Sequence, residues 1–128
     1  MGVLKPVERL PSNMTPMVAS RGNRSVAIGA AAADRIAPAA AQVWRGIVAR
    51  GESAKAAVEA PRFHVRGVEG EKHLDHEPGF HPHDVNMAVN PFGARHMYFG
   101  GVQAAAVYSD GRLDAGSDPR RGGAVVIG

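Results

Sequence analysis

Four histidines lie close together in the middle of this 128-residue chain and alternate with carboxylates. Imidazole and carboxylate groups at such spacing can bind zinc or another divalent cation. Short motif matches of this kind are often accidental, so a polar loop with titrating histidines is the main interpretation and a metal site the alternative. We therefore expect no cofactor. The residues concerned are His73, His76, His81 and His83, with Asp75, Glu77 and Asp84 among them.

Two arginine-containing motifs also combine residue types that can move protons. They are Arg62 with His64, and Asp118 with Arg120. An Ala-Pro-Arg turn ahead of a strand is better explained by guanidinium hydrogen bonds that tie a helix end to the sheet. An Asp-Pro-Arg sequence is typical of a turn whose Asp side chain caps the backbone. Both motifs are therefore predicted to be structural.

The composition excludes several classes of function. The chain has no cysteine, so disulfides and thiol chemistry are ruled out. Its net charge is +3, and 12 of its 15 basic residues are arginines scattered along the chain. Nucleic-acid binders cluster such residues on one face with aromatics between them, so no nucleic-acid partner is expected.

The chain gives no sign of membrane insertion. No apolar run approaches the roughly 18 residues that a spanning helix needs. The N-terminus also lacks the apolar region of a signal peptide. The compartment stays open: cytoplasmic by default, or periplasmic if these residues belong to an exported precursor.

The first quarter of the chain predicts a β-hairpin. Residues 1–13 are rich in turn formers and are expected to be extended. Apolar runs at 14–20 and 25–31 are joined through Gly22-Asn23, which favours a tight connection between two strands. The runs are almost continuously apolar, as is typical of strands that are covered on both faces.

Two helices are predicted next. Asp34 is a suitable N-cap, and apolar residues at three- and four-residue steps then predict a helix to about Arg50. Ser53 can cap a second, short helix through Glu59. Pro61 ends it, because a proline restricts the residue before it.

The second half of the chain predicts mostly strands. With the hairpin and helices before it, this order indicates an α+β fold, a mostly antiparallel sheet with two helices on one face. The elements expected are a strand near 73–77, a brief helix at 82–89, and strands at 101–108, 113–117 and 124–127, with a hairpin turn at 109–112.

Three short segments resemble, in order and spacing, the C-terminal part of the γ-glutamyltransferase family, which are N-terminal-nucleophile hydrolases. They are Ser12–Pro16 (SNMTP), Ala56–His64 (AAVEAPRFH) and Asp118–Ala124 (DPRRGGA). The resemblance extends from about Arg9 to Gly128. It implies that the sheet is part of the family's αββα sandwich, and that residues 1–128 form a single incomplete domain.

The resemblance also implies a nucleophile that these residues lack. The family uses a threonine whose own α-amino group is the general base, and autocleavage exposes that threonine at the start of the small subunit. The single threonine here, Thr15, falls well after that position and is expected to be a strand or turn residue. An upstream segment or a large subunit is expected to carry the nucleophile, and this chain alone to be inactive.

Two pairs of residues match positions that bind substrate in the family. Ser12 and Asn13 fall where two serines hold the α-carboxylate of the γ-glutamyl group; the alternative is a turn stabilised by side-chain to backbone hydrogen bonds. Ala32 and Ala33 fall where a Gly-Gly pair forms the oxyanion hole through its backbone N–H groups. N–H groups at a helix start carry partial positive charge, although glycine adopts backbone angles that alanine resists.

The function predicted is that of a C-terminal segment of an enzyme that transfers or hydrolyses γ-glutamyl groups of amides such as glutathione. We expect a fragment of a longer gene rather than a short protein with a separately encoded partner. One alternative is a catalytically silent relative that acts as a binding or interaction module, which the residues at Asn13 and Ala32-Ala33 favour. The other is a metal-binding protein that uses the histidine cluster.

Overall fold

The structure is a computed structural model that describes residue 7 and residues 14–67 and 70–126. It confirms the α+β class, with two α-helices, two sheets and three short 3₁₀ helices in the described ranges. The strands are β1 (Met17–Arg21), β2 (Arg24–Ala31), β3 (Phe63–Arg66), β4 (His73–His76), β5 (Ala88–Pro91), β6 (Gly101–Tyr108) and β7 (Leu113–Gly116), and the α-helices are α1 (Ile36–Ala49) and α2 (Ala54–Glu59).

The main sheet has the order β1-β2-β6-β7, and all its neighbouring strands are antiparallel. The predicted hairpin between β1 and β2 is confirmed. Gly22 lies at its turn with φ 59°, a conformation that glycine adopts without steric cost. The hairpin between β6 and β7 is also confirmed, and its register pairs Val107 with Leu113.

Both helices pack on one face of this sheet and bury its alternate side chains. Side chains that point to this face on β2 and β6 meet the apolar stripe of α1 and the short α2, which excludes water from the core. The core consists of Val26, Ile28, Ala39, Ala40, Val43, Ile47, Ala54, Ala57, Val58, Val102, Ala104 and Ala106.

The opposite face of the main sheet is uncovered in the described part of the chain. Register places Val18, Ala27, Ala105 and Ala115 in one row across the four strands. Val18 is 76% exposed, and Leu113, in the neighbouring row, is 52% exposed. A sheet that buries one face and presents apolar side chains on the other is typical of one layer of a sandwich.

The starts of the two helices differ from each other. Ser53 caps α2 as predicted, since its side chain accepts a hydrogen bond from the Ala56 amide. The predicted cap at Asp34 is wrong: a 3₁₀ turn over Ala33–Arg35 comes first, and Arg35 occupies the N-cap of α1 without a side-chain cap. The extra turn moves Asp34 inside the helical segment.

A smaller sheet has the order β3-β4-β5. The strand near 73–77 is confirmed as β4, but the helix expected at 82–89 is wrong. Residues 88–91 instead form β5, which runs parallel to β4 because the long polar connection lets the chain return in the same direction. The strand expected at 124–127 is also wrong for its described residues, 124–126, which have no strand partner.

Candidate functional site

The connection between β2 and α1 is a sharp turn made by Ala32 and Ala33, called here the alanine turn. Ala32 has φ 159° and Ala33 has φ 47°. The Ala32 carbonyl accepts a hydrogen bond from the Arg35 amide at 3.1 Å. Among the described residues, no turn or loop hydrogen bond joins the amide of Ala32 or Ala33 to a backbone carbonyl. N–H groups at a helix start lack an intrahelical acceptor, so these two are of the kind that can donate to an oxyanion.

The alanine turn contains a backbone conformation that is unusual for alanine. The φ of Ala33 lies in the left-handed region, which costs an L-residue roughly 1–2 kcal/mol relative to ordinary helical angles. Such conformations persist only where the surrounding structure fixes them, and they concentrate at functional sites. The geometry at this position is thus one that glycine would adopt freely, although alanine occupies it.

Two neighbours support the turn on either side of Ala32. Gly100, with φ 80°, lies so close that a Cβ placed on it would be 3.1 Å from the Ala32 Cβ. Arg121 donates from Nη2 to the Ala31 carbonyl at 3.3 Å. Gly100 permits the close approach of two backbone segments, and Arg121 brings a positive charge to the strand end before the turn.

A third contact follows the turn. The guanidinium carbon of Arg35 lies 4.1 Å from the centre of the Tyr98 ring, a cation–π distance. The Tyr98 hydroxyl donates to Asp75 Oδ2 at 2.5 Å. Burial and the hydrogen bond to Asp75 raise the pKa of Tyr98, so its hydroxyl keeps its proton and remains a donor.

His64 lies beside the same ring, with its centroid 6.2 Å from that of Tyr98. Burial and the charge of Arg35 lower the pKa of His64, so its imidazole is neutral at pH 7. Its Nδ1 is buried without a hydrogen-bond partner in the described chain.

A buried ionic cluster lies next to this region and consists of Arg62, Glu77, Asp118 and Arg120, each at most 8% exposed. Arg62 pairs with Asp118 at 2.7 Å, and Arg120 pairs with Asp118 at 3.1 Å and also with Glu77. The two arginine motifs of the sequence are therefore joined in one cluster.

The backbone contacts of this cluster confirm its structural interpretation. Arg62 donates from Nη2 to the Val58 carbonyl at the end of α2 and from Nη1 to the Gly100 carbonyl before β6. Asp118 accepts from the Arg120 amide, as the predicted capping turn requires. Buried ion pairs of this kind hold segments together and leave little capacity for proton transfer to a substrate.

The histidines singled out in the sequence are not brought together. In the described residues no three His, Cys, Asp or Glu side chains lie close enough to hold a metal ion. His73 and His76 lie at the two ends of β4, while His81 and His83 lie in the exposed loop after it. The carboxylates between them are engaged elsewhere, Asp75 by Tyr98 and Glu77 by Arg120.

The predicted carboxylate contacts, Ser12 and Asn13, lie outside the described residues. Thr15 lies just before β1, and its hydroxyl oxygen is buried without a partner in the described part of the chain. Its position two residues ahead of a strand agrees with the expected strand or turn role.

Sequence reasoning did not identify Gly100 as a neighbour of the alanine turn, or Tyr98 and Asp75 as residues linked to it through Arg35. The sequence holds one signal for two of them, because the glycine pair Gly100-Gly101 after two aromatics indicates a close backbone approach. Nothing local indicates Asp75, which is 23 residues from Tyr98.

No helix formed by the described residues is long and apolar enough to cross a membrane.

Solved structures share this fold. The chain aligns with the transpeptidase CapD of Bacillus anthracis with a TM-score of 0.77 and 20% identity, over 96% of this chain and 75% of CapD. It aligns with the γ-glutamyltranspeptidase of Pseudomonas nitroreducens in complex with L-DON with a TM-score of 0.74 and 22% identity, over 98% and 67% of the two chains. For the T380A mutant of the Helicobacter pylori γ-glutamyltranspeptidase the values are 0.72 and 24%, over 91% and 66%.

These alignments show that the chain shares its α+β fold with these enzymes. Residues 1–128 match the family model described as Gamma-glutamyltranspeptidase. The chain therefore belongs to the γ-glutamyltranspeptidase family. No curated protein matches its sequence.

Proposed function

We propose that this chain provides the oxyanion and carboxylate contacts of a γ-glutamyl-transferring or γ-glutamyl-hydrolysing site, while another segment provides the nucleophilic threonine. The observation that carries the proposal is the alanine turn in a member of this family. Its two amides lie at a helix start, where N–H groups lack an intrahelical acceptor, and Ala33 has the left-handed φ that glycine adopts freely. Two such donors stabilise the negative oxygen that forms when an acyl carbonyl is attacked.

The role proposed for Ser12 and Asn13 comes from the family resemblance. Met17, where β1 begins, pairs with Ile28, and β2 then continues to Ala31 and the alanine turn. A hydroxyl and an amide are suited to hold the α-carboxylate of a γ-glutamyl group while its side-chain carbonyl meets the turn.

The missing nucleophile agrees with the uncovered face of the main sheet. Members of this family are processed into a large and a small subunit and act on γ-glutamyl substrates. Exposed apolar side chains such as Val18 and Leu113 favour association with a further layer. In the proposal that layer carries the threonine, since Thr15 is the single threonine of these residues.

The test is cleavage of a γ-glutamyl anilide by this chain alone and by the chain joined to a family segment that carries the nucleophile. The chain alone should be inactive and the combination active. In the active form, Ser12→Ala or Asn13→Ala should raise KM about 10-fold or more, since each removes a hydrogen bond to a charged group. Asn23→Ala and Ser109→Ala, the matched changes in the two hairpin turns, should not.

Two results would refute the proposal. Turnover by the purified chain alone would show that the nucleophile lies within these residues. A folded combination that binds the γ-glutamyl compound without cleaving it would instead favour a catalytically silent binding module. The second outcome is measured because alanines occupy the turn, and alanine resists backbone angles that glycine adopts freely.

A further inference from the structure

The alanine turn lacks the usual means by which a helix start is held. Neither Ala32, at the start of the 3₁₀ turn, nor Arg35, at the start of α1, makes a side-chain capping hydrogen bond. The left-handed Ala33 between them is unfavourable for alanine and tends to relax. Other contacts must therefore fix the direction in which the two amides point.

Arg35 is the first long side chain after the turn, and Tyr98 fixes it. Its guanidinium lies over the face of the Tyr98 ring at 4.1 Å. Both residues are half-buried, a setting in which a cation–π contact is worth about 0.5–2 kcal/mol. A contact of this size is comparable to the strain of the turn it follows.

Tyr98 is itself held from three directions. Its ring stacks on Phe92 with centroids 5.1 Å apart and meets Phe99 edge-on at 5.0 Å. Its hydroxyl donates to Asp75, which is 1% exposed. Rings packed in this way, with the hydroxyl bonded to a buried acceptor, have little freedom to tilt.

Asp75 completes the connection to the smaller sheet. Its carboxylate also accepts from Arg66 Nε at 2.8 Å and from Asn90 Nδ2 at 2.9 Å. Burial alone would raise the pKa of Asp75, but the hydrogen bonds from Tyr98, Asn90 and Arg66 outweigh it and lower the pKa. The carboxylate therefore stays ionised and accepts three hydrogen bonds at once.

We propose that Tyr98 is a positioning residue for the alanine turn: its ring fixes Arg35, and its hydroxyl anchors the ring to Asp75, so that the amides of Ala32 and Ala33 keep one orientation. Tyr98 touches neither amide and acts through Arg35. The proposal rests on the function proposed above for these amides. It adds that their alignment depends on the smaller sheet.

The chain contains a matched control for this pair. Arg112 lies over the ring of Tyr108 at 3.6 Å, the same type of contact. That pair belongs to the hairpin between β6 and β7, and Tyr108 pairs in register with Arg24, at the opposite end of β2 from the alanine turn. Substitutions of Tyr108 therefore show the effect of losing a cation–π contact elsewhere in the chain, and substitutions of Tyr98 show the effect of losing the contact with Arg35.

The experiment compares ¹H–¹⁵N NMR spectra of the ¹⁵N-labelled full chain with Tyr98→Phe, Tyr98→Leu, Tyr108→Phe and Tyr108→Leu. The Tyr98 variants should shift the Ala32 and Ala33 amide resonances, the Leu variant most, because Phe keeps the ring. The Tyr108 variants should leave those two resonances in place. Tyr98→Phe keeps the packing of the ring, so it decides the matter if Tyr98→Leu fails to fold.

An activity measurement adds a second readout. In the active combination described above, Tyr98→Phe should lower kcat about 10- to 100-fold with little change in KM, since misplaced donors act mainly on the transition state. Unchanged Ala32 and Ala33 resonances in folded Tyr98→Phe, together with unchanged kcat, would overturn the positioning role. Failure of every combination to cleave the anilide would refute the proposed function, while the NMR comparison would still report on the turn.

Discussion

The buried ionic cluster and the alanine turn are neighbours with opposite properties. They meet at Gly100, whose carbonyl accepts from Arg62 and whose backbone packs against Ala32. The cluster holds four charged side chains, and every one of them is paired with another. The turn holds no ionisable side chain at Ala32 or Ala33, yet its amides lie at a helix start, where N–H groups lack an intrahelical acceptor.

The comparison shows that charged residues alone do not identify a site. A paired and buried charge has its interactions already used within the fold, so it stabilises and positions. An unengaged donor at a strained turn retains its capacity for a ligand. We infer that the ionic cluster fixes Gly100 and so helps to fix the turn, which is the part proposed to bind.

The largest expected effect comes from opening the cluster. Arg120→Met removes the ion-pair partner of Glu77 and one of the two partners of Asp118, so Glu77 is left buried without an ion pair and Asp118 keeps only Arg62. The free energy of unfolding, measured with urea, should fall by about 3–5 kcal/mol. Arg45→Met, the same change at an exposed position of α1, should alter it by less than about 0.5 kcal/mol. Equal effects of the two substitutions would show that the cluster does not carry stability.

A smaller effect is expected from acid. Burial would raise the pKa of Glu77 and Asp118, but hydrogen bonds and charges from Arg120 and Arg62 outweigh it and lower both values. Carboxyl groups whose pKa is lowered by folding stabilise the folded state at pH values above their ordinary pKa. That stability is lost as the pH falls through the folded-state values.

The contribution of these two carboxyl groups to the unfolding free energy should therefore be constant from pH 7 to about 5 and fall below about pH 4, by up to about 1.4 kcal/mol per pH unit for each group. Urea titrations at several pH values measure it. Glu77→Gln should be less stable at pH 7 but should lose less on acidification. A stability that does not change between pH 5 and pH 3 would contradict the assigned pairing.

The parts of the fold that were predicted from the sequence are those with local causes. The hairpins follow from turn residues such as Gly22, and the second helix follows from the Ser53 cap. β5 was missed because its partner β4 is remote in sequence and its own residues carry no alternating pattern. Asp34 was misplaced because a 3₁₀ turn and a cap signal look alike in sequence.

The candidate site was predictable only in part. Ala32 and Ala33 lie in a run of alanines, and only the family resemblance identifies them as site candidates. Without a glycine, the sequence gives no signal that a residue here has a left-handed φ. The arginine motifs were correctly interpreted as structural. The ion pair between Arg62 and Asp118, which joins the two motifs, could be found only in the folded chain. The link from Asp75 through Tyr98 to Arg35 joins residues from three distant segments, so no spacing rule could indicate it.

The smallest expected effect tests the strain of the turn directly. Ala33→Gly replaces a residue at φ 47° with one that adopts this angle freely, so the unfolding free energy should rise by up to about 1 kcal/mol. Ala27→Gly, the same change within β2 where φ is negative, should lower it by about 0.5–1 kcal/mol. Urea denaturation of both variants measures the difference in sign. A loss of stability in both variants would show that the backbone of Ala33 is not strained. The conformation of the turn would then no longer support a binding site there, any more than the ion pairs of the neighbouring cluster do.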